Sequence, residues 1–133
     1  MNKIEHIGIA VKDLQTSNVL FEKLFGAPAY KEEEVASGGV KTAFFQNGPN
    51  KIELLEATHS ESPIAKFIEK KGEGIHHIAF DVTDIVAEIA RLESEGFVVL
   101  NPVPKKGADN KLVAFLHPKS TNGVLIELCQ EIS

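Results

Sequence analysis

From Lys3 to Val11 apolar and polar positions alternate, with Ile7, Ile9 and Val11 on one side and His6, Gly8 and Ala10 on the other. A period of two is that of a half-buried strand, and its bulky side is expected to meet a helix. Residues 13–25 supply that helix. Leu14, Ser17, Leu20, Phe21 and Leu24 recur at helical spacing behind Asp13 as a cap, and Gly26 ends the run. An acidic strand follows from Tyr30 to Val35, then a hairpin of residues 40–46 and 51–56 turned by Asn47-Gly48-Pro49-Asn50. Ser62-Pro63 opens a short helix that carries Ile64, Phe67 and Ile68 and stops at Gly72. The order then repeats: a strand over 75–82, a helix over 84–95 with Ile85, Ile89 and Leu92 inward, a strand over 97–100, and a hairpin of residues 111–117 and 123–129.

The repetition is written in the residues themselves. EHIGIAVKDL at 5–14 returns as HHIAFDVTDI at 76–85, which superposes His6 on His77 and Asp13 on Asp84. Ala43-Phe44-Phe45 answers to Ala114-Phe115-Leu116, and Ile52-Glu53-Leu54 to Ile126-Glu127-Leu128. The offset is 71 from His6 to His77 but 74 from Glu53 to Glu127, so a three-residue difference falls in one turn. This predicts an α+β fold of two tandem βαβββ modules forming one curved mixed sheet system around a metal site. The chain reads as a single domain over 1–133, with module 1 at about 1–57, a connecting helix at about 62–71 and module 2 at about 74–133.

Strand parity places the candidate chemistry. Ile78, Phe80 and Val82 are expected to face a helix, leaving His77 with Ala79 on the other side. Ile52 and Leu54 likewise turn Glu53 away from the helix, as Ile126 and Leu128 do for Glu127. His6, Glu53, His77 and Glu127 are thus expected to share the concave face as metal ligands, among the small neighbours Gly8, Ala10 and Ala79. Two imidazoles and two carboxylates suit a divalent ion of intermediate hardness: cobalt, nickel, manganese, zinc or iron. Four protein ligands leave positions open on an ion that accepts six, as a catalytic metal requires. His76 has the opposite parity, His59 lies in the connecting segment, and His117 before Pro118 is expected to shape a turn.

Composition narrows the remainder. With 14 Lys and Arg against 19 Asp and Glu the net charge is −5, and no long basic run suggests nucleic acid or an anionic membrane as partner. No segment is apolar for long enough to span a bilayer and the opening residues run straight into a strand, so a cytoplasmic protein is expected. Cys129 is the one cysteine, which excludes an intramolecular disulfide and a thiolate cage and marks it as small core filler.

Three stretches carry a resemblance: EHIGIAVKDL, SPIAKFIEKKGEGIHHIAFDV from Ser62 to Val82, and FLHPKSTNGVLIEL from Phe115 to Leu128. Through them the chain resembles the methylmalonyl-coenzyme A epimerase family of the vicinal oxygen chelate superfamily, over nearly its whole length. The resemblance puts metal ligands on His6, His77 and Glu127, with Glu53 at a fourth position where some relatives have Gln. It implies a divalent metal cofactor, with cobalt the first choice and nickel, manganese or zinc the others, and an acyl-coenzyme A substrate. The implied reaction interconverts (R)- and (S)-methylmalonyl-CoA by α-proton removal and return through a metal-stabilised enolate. Such a reaction needs proton-transfer groups on two faces, and Glu127 and Glu53, which come from different modules, are expected to serve as the catalytic acid and base; the alternative is one glutamate working with a metal-bound water or another nearby group. Some relatives carry a glutamate at the position of Thr42, a role threonine cannot take. Lys105, Lys106, Lys111 and Lys119 lie where loops could meet coenzyme phosphates. A homodimer is expected from the fold relatives and from exposed sheet edges that pairing would cover. Two alternatives remain: a glyoxalase-like lyase or isomerase acting on another substrate, and a non-catalytic small-molecule binder of the same fold.

Overall fold

In the computed structural model, which describes residues 1–132, the strands and helices follow one another as β1 (Lys3–Ala10), α1 (Leu14–Phe25), β2 (Lys31–Val35), β3 (Val40–Asn47), β4 (Asn50–Ala57), α2 (Pro63–Lys71), β5 (Gly74–Asp81), α3 (Ile85–Ser94), β6 (Lys105–Lys106), β7 (Lys111–Leu116) and β8 (Ile126–Glu131). Both halves therefore have the βαβββ order. Contacts divide the chain into two units, His6–His76 on one side and Met1–Glu5 with the chain from His77 onward on the other.

In the first unit the strands are bonded in the order β2-β3-β4-β1, with β4 parallel to β1 and antiparallel to β3. The β3–β4 turn is tighter than the sequence pattern suggests, because Asn47 pairs with Asn50 and only Gly48 and Pro49 lie outside the ladder. Gly48 supplies the positive φ of 62° that so short a turn demands. In the second unit β5, β8, β7 and β6 follow in that order, with β5 parallel to β8 and the other pairs antiparallel. The opening residues join this unit, the Asn2 amide donating to the Asp81 carbonyl at 2.8 Å. The three-residue difference between the copies falls between β7 and β8, where Pro118–Thr121 form a single 3-10 turn.

The core repeats residue for residue. Val11, Leu14, Ala43, Phe45 and Leu54 are buried together under α1. Val82, Ile85, Ala114, Leu116 and Leu128, their counterparts in the second copy, are buried together under α3 with Ile89 and Leu92. Helix starts repeat as well: the Leu14 amide donates to Glu56 Oε1 at 2.6 Å, and the Ile85 amide to Gln130 Oε1 at 2.8 Å. Each α-helix that leaves an edge of a copy is thus capped by the last strand of that copy, which satisfies one of the amides that helix geometry orphans.

Three expectations need correction. The α1 face that meets the core is Leu14, Phe21 and Phe25, while Leu20 and Leu24 are 62% and 68% exposed. The phenyl rings of Phe21 and Phe25 both pack on Phe45, within 6.3 Å, and this larger apolar area outweighs the two leucines in setting the rotation of the helix. Asp13 sits at the cap position but makes no cap bond to the backbone, its carboxylate being taken by the Thr16 hydroxyl, whereas Asp84 does accept from the Ala87 amide. Residues 97–100 do not form a strand. They follow β7 through one bridge, Val99 to Leu116, and Asn101 then substitutes its side chain for the ladder, accepting from the Phe115 amide at 2.9 Å and donating to the Val113 carbonyl at 3.2 Å. The paired strand comes later, at Lys105–Lys106, beyond Pro102 and Pro104, which lack the amides a ladder needs.

Candidate functional site

Each unit holds one histidine and one glutamate in the same local setting. In the first, Gly8 of β1 lies opposite Glu53 of β4, so His6, two residues before Gly8, shares a face with Glu53. Phe44 of β3 lies opposite Glu53 from the other side. His6 Nε2 is 3.2 Å from Glu53 Oε1, and the Phe44 ring meets the imidazole edge-on at 6.4 Å. Gly8, directly opposite Glu53, adds no side chain beside the carboxylate.

The second unit reproduces this with residues 71 to 74 further on. Ala79 of β5 and Phe115 of β7 flank Glu127 of β8 in the ladder. His77 Nε2 is 3.2 Å from Glu127 Oε1, and Phe115 meets the imidazole edge-on at 6.1 Å. His6, Glu53, His77 and Glu127 are all between 4% and 6% exposed. A carboxylate taken so far from water costs several kcal/mol unless it is paired, and in each unit the imidazole is the partner. Each half-site therefore presents one imidazole nitrogen and one carboxylate oxygen, the donor types of a borderline divalent ion.

The other histidines have local work. His117 Nδ1 accepts from the Lys119 amide at 3.0 Å and shapes the turn as the sequence suggests. His59 is exposed and its Nδ1 accepts from the Glu61 amide, and His76 stands edge-on to Phe67 at 5.0 Å. Cys129 is fully buried, with Sγ 3.5 Å from the Phe80 carbonyl. Burial first, and then the negative charges of Glu127 and Glu5, push its thiol well above the ordinary range.

Sequence reasoning does not foresee the burial of Glu5, Lys111 and Thr42. Glu5 and Lys111 are buried in the second unit, and Lys111 opens β7 rather than lying in a loop, as Lys105 and Lys106 form β6. A charged residue gives no sign in a single sequence that its surroundings are dry. Thr42 is 1% exposed, on the face of β3 that carries Phe44.

Comparison with known proteins places this arrangement. The model of the glyoxalase/bleomycin resistance protein/dioxygenase superfamily matches residues 5–115. The methylmalonyl-CoA epimerase of Dictyostelium discoideum is 42% identical over 129 residues, 96% of this chain and 78% of that protein. The ethylmalonyl-CoA/methylmalonyl-CoA epimerase of Cereibacter sphaeroides is 41% identical over 132 residues, 98% of each chain. A solved methylmalonyl-CoA epimerase in complex with methylmalonyl-CoA and ammonium superposes with a TM-score of 0.94 at 33% identity, covering 100% of this chain and 96% of that one. No helix among the described residues is long and apolar enough to cross a membrane. The chain belongs to the glyoxalase/bleomycin resistance protein/dioxygenase superfamily, and its relatives there include methylmalonyl-CoA epimerases.

Proposed function

We propose that the protein is an isomerase that interconverts (R)- and (S)-methylmalonyl-CoA. The observation that carries this reading is the end-to-end similarity to the Cereibacter enzyme, 41% over 98% of both chains, joined to the doubled histidine–glutamate half-site. His6, Glu53, His77 and Glu127 fit one divalent metal ion by the chemistry of the donor set. Two neutral imidazoles and two carboxylates balance its charge, and they favour cobalt, nickel, manganese or zinc over the oxygen-seeking magnesium and calcium. Such an ion supplies Lewis-acid polarisation of the thioester oxygen, where charge gathers as the α-proton leaves.

The chain's own residues move the proton. Epimerisation requires one group to take the proton from one face of the α-carbon and another to return it to the opposite face. Glu53 and Glu127 come from different copies of the repeat, and we assign one to each face. His6 and His77, each 3.2 Å from a glutamate oxygen, orient the carboxylates. Phe44 and Phe115 stand edge-on to the imidazoles and limit their rotation. Small residues opposite the carboxylates, Gly8 and Ala79, leave room on that face of each sheet for an acyl group. In cells we expect the protein in the cytoplasm as a homodimer, with the acyl-CoA as its small-molecule partner.

Incubation of the cobalt-loaded protein with either configuration of methylmalonyl-CoA in heavy water tests this. Deuterium is expected at the α-carbon together with the other configuration. Absence of both, with full metal occupancy, refutes the reading.

A further inference from the structure

Lys111 is 8% exposed, and among the described residues no hydrogen bond or ion pair reaches its ammonium. Burying a charge is expensive unless it is paired. An ammonium kept in such a place points to a partner that the chain itself does not supply. Glu131 stands opposite Lys111 in the ladder, yet it is exposed and forms no ion pair with it. The Asp81 carboxylate is held by Asn2, whose side-chain amide donates to it at 2.9 Å. The charges of Glu5, Lys111 and Asp81 all act on the Cys129 thiol, but neither carboxylate comes within ion-pair distance of Lys111.

The backbone fixes where this cation starts. The Gly107 amide donates to the Lys111 carbonyl at 2.9 Å, and the preceding turn is tied down by the Asn110 side-chain amide, which donates to the Ile132 carbonyl at 3.0 Å. Lys111, Val113 and Phe115 share one face of β7 and lie opposite Glu131, Cys129 and Glu127 of β8. Lys111 therefore rises from the face that carries the half-site, about 13 Å along the strand from the Glu127 row. The first copy has Val40 at the matching position, in an apolar cluster with Leu55 and Ala57 that α2 covers with Ile64, Phe67 and Ile68. No helix among the described residues of the second unit takes the place of α2. One copy closes this end of its face with apolar side chains, and the other sets a cation there.

We propose that Lys111 is the anion-binding residue of the second unit, its ammonium pairing with an anionic oxygen of the acyl-CoA. The inference rests on the acyl-CoA substrate proposed above. Such a ligand carries that chemistry in two places, the carboxylate of its acyl group and the phosphates of the coenzyme. From about 13 Å along the strand, the long and flexible lysine stem can turn back toward the first or outward to the second.

Lys111→Met keeps the apolar stem and removes the charge. Calorimetric titration with methylmalonyl-CoA, on metal-free and cobalt-loaded protein, is expected to show binding at least about tenfold weaker than in the wild type, the size of effect one hydrogen bond to a charge supplies. Lys111→Arg is expected to lose less, and Lys23→Met, on the exposed side of α1, to lose nothing. Two shortened ligands tell the sources apart. If the acyl carboxylate is the partner, the difference between Lys111→Met and wild type vanishes with propionyl-CoA, which lacks it. If a phosphate is the partner, the difference vanishes with methylmalonyl-pantetheine, which has none. The melting temperature of ligand-free Lys111→Met is expected to equal or exceed that of the wild type, since an unpaired buried charge has gone. Four results overturn the proposal: unchanged affinity in Lys111→Met, an equal loss in Lys111→Arg, a loss that persists with both shortened ligands, or a clear fall in melting temperature, which would show the ammonium partnered within the protein. A wild type that binds no acyl-CoA removes the proposed function and this role together. A wild type that binds, with affinity unaffected in Lys111→Met, removes the role alone.

Discussion

Replacing Glu127 by Gln separates the two proton-transfer steps. Gln keeps the shape of the side chain and an oxygen that can face His77 Nε2, which stands 3.2 Å from the glutamate oxygen, so neither the fold nor the ligand oxygen need be lost. What is lost is basicity. A positioned general base contributes about 10²–10⁴ in rate, or about 3 to 6 kcal/mol at roughly 1.4 kcal/mol per tenfold. Epimerisation by Glu127→Gln is therefore expected to fall by at least about a hundredfold. If Glu53 and Glu127 serve opposite faces, the remaining carboxylate still removes and returns the proton of one configuration. Solvent deuterium then enters one configuration without inversion, and Glu53→Gln shows the reverse preference. The assay is proton NMR of the α-position in heavy water, started separately from each configuration, with metal content measured on the same samples. A metal-replete Glu127→Gln that exchanges and inverts both configurations at the wild-type rate would refute the assignment of Glu127 as acid or base.

Four further outcomes test the structure away from the chemistry. Leu128→Ala removes a fully buried side chain from the core under α3 and is expected to cost about 3 kcal/mol, lowering the melting temperature by about 10 °C in a calorimetric scan. Loss of less than about 1 kcal/mol would contradict that packing. Asn101→Ala leaves the Phe115 amide and the Val113 carbonyl without their partner and is expected to cost about 1–3 kcal/mol in urea titration, whereas Leu24→Glu on the exposed side of α1 is expected to stay within about 0.5 kcal/mol. The Cys129 thiol, buried and pushed up beside Glu127 and Glu5, is expected to resist alkylation at pH 8 in the native protein and to react fully in denaturant. Rapid native labelling would mean that this part of the sheet opens.

The half-sites are legible because strand parity is a two-valued property: once Ile52 and Leu54 face a helix, Glu53 has one face left. The duplication then guards against error, since a slip in one copy would break the match with the other. Helix rotation is less constrained. Leu20 and Leu24 satisfy helical spacing as well as Phe21 and Phe25 do, and only the presence of Phe45 beneath decides between them. The segment 97–101 carries strand-forming residues, yet after the single bridge at Val99 the Asn101 side chain takes the place of backbone pairing, an exchange no propensity encodes. Burial of Glu5, Lys111 and Thr42 depends on what lies over them, and that information resides in distant parts of the chain.

The matched 3.2 Å contacts also bear on how such a protein is made. Each carboxylate finds a companion within its own copy of the repeat, so neither buried acid depends on the other copy for that contact. Nascent chains can then form each contact as soon as the strands of that copy have paired, unlike small domains that collapse only around their zinc.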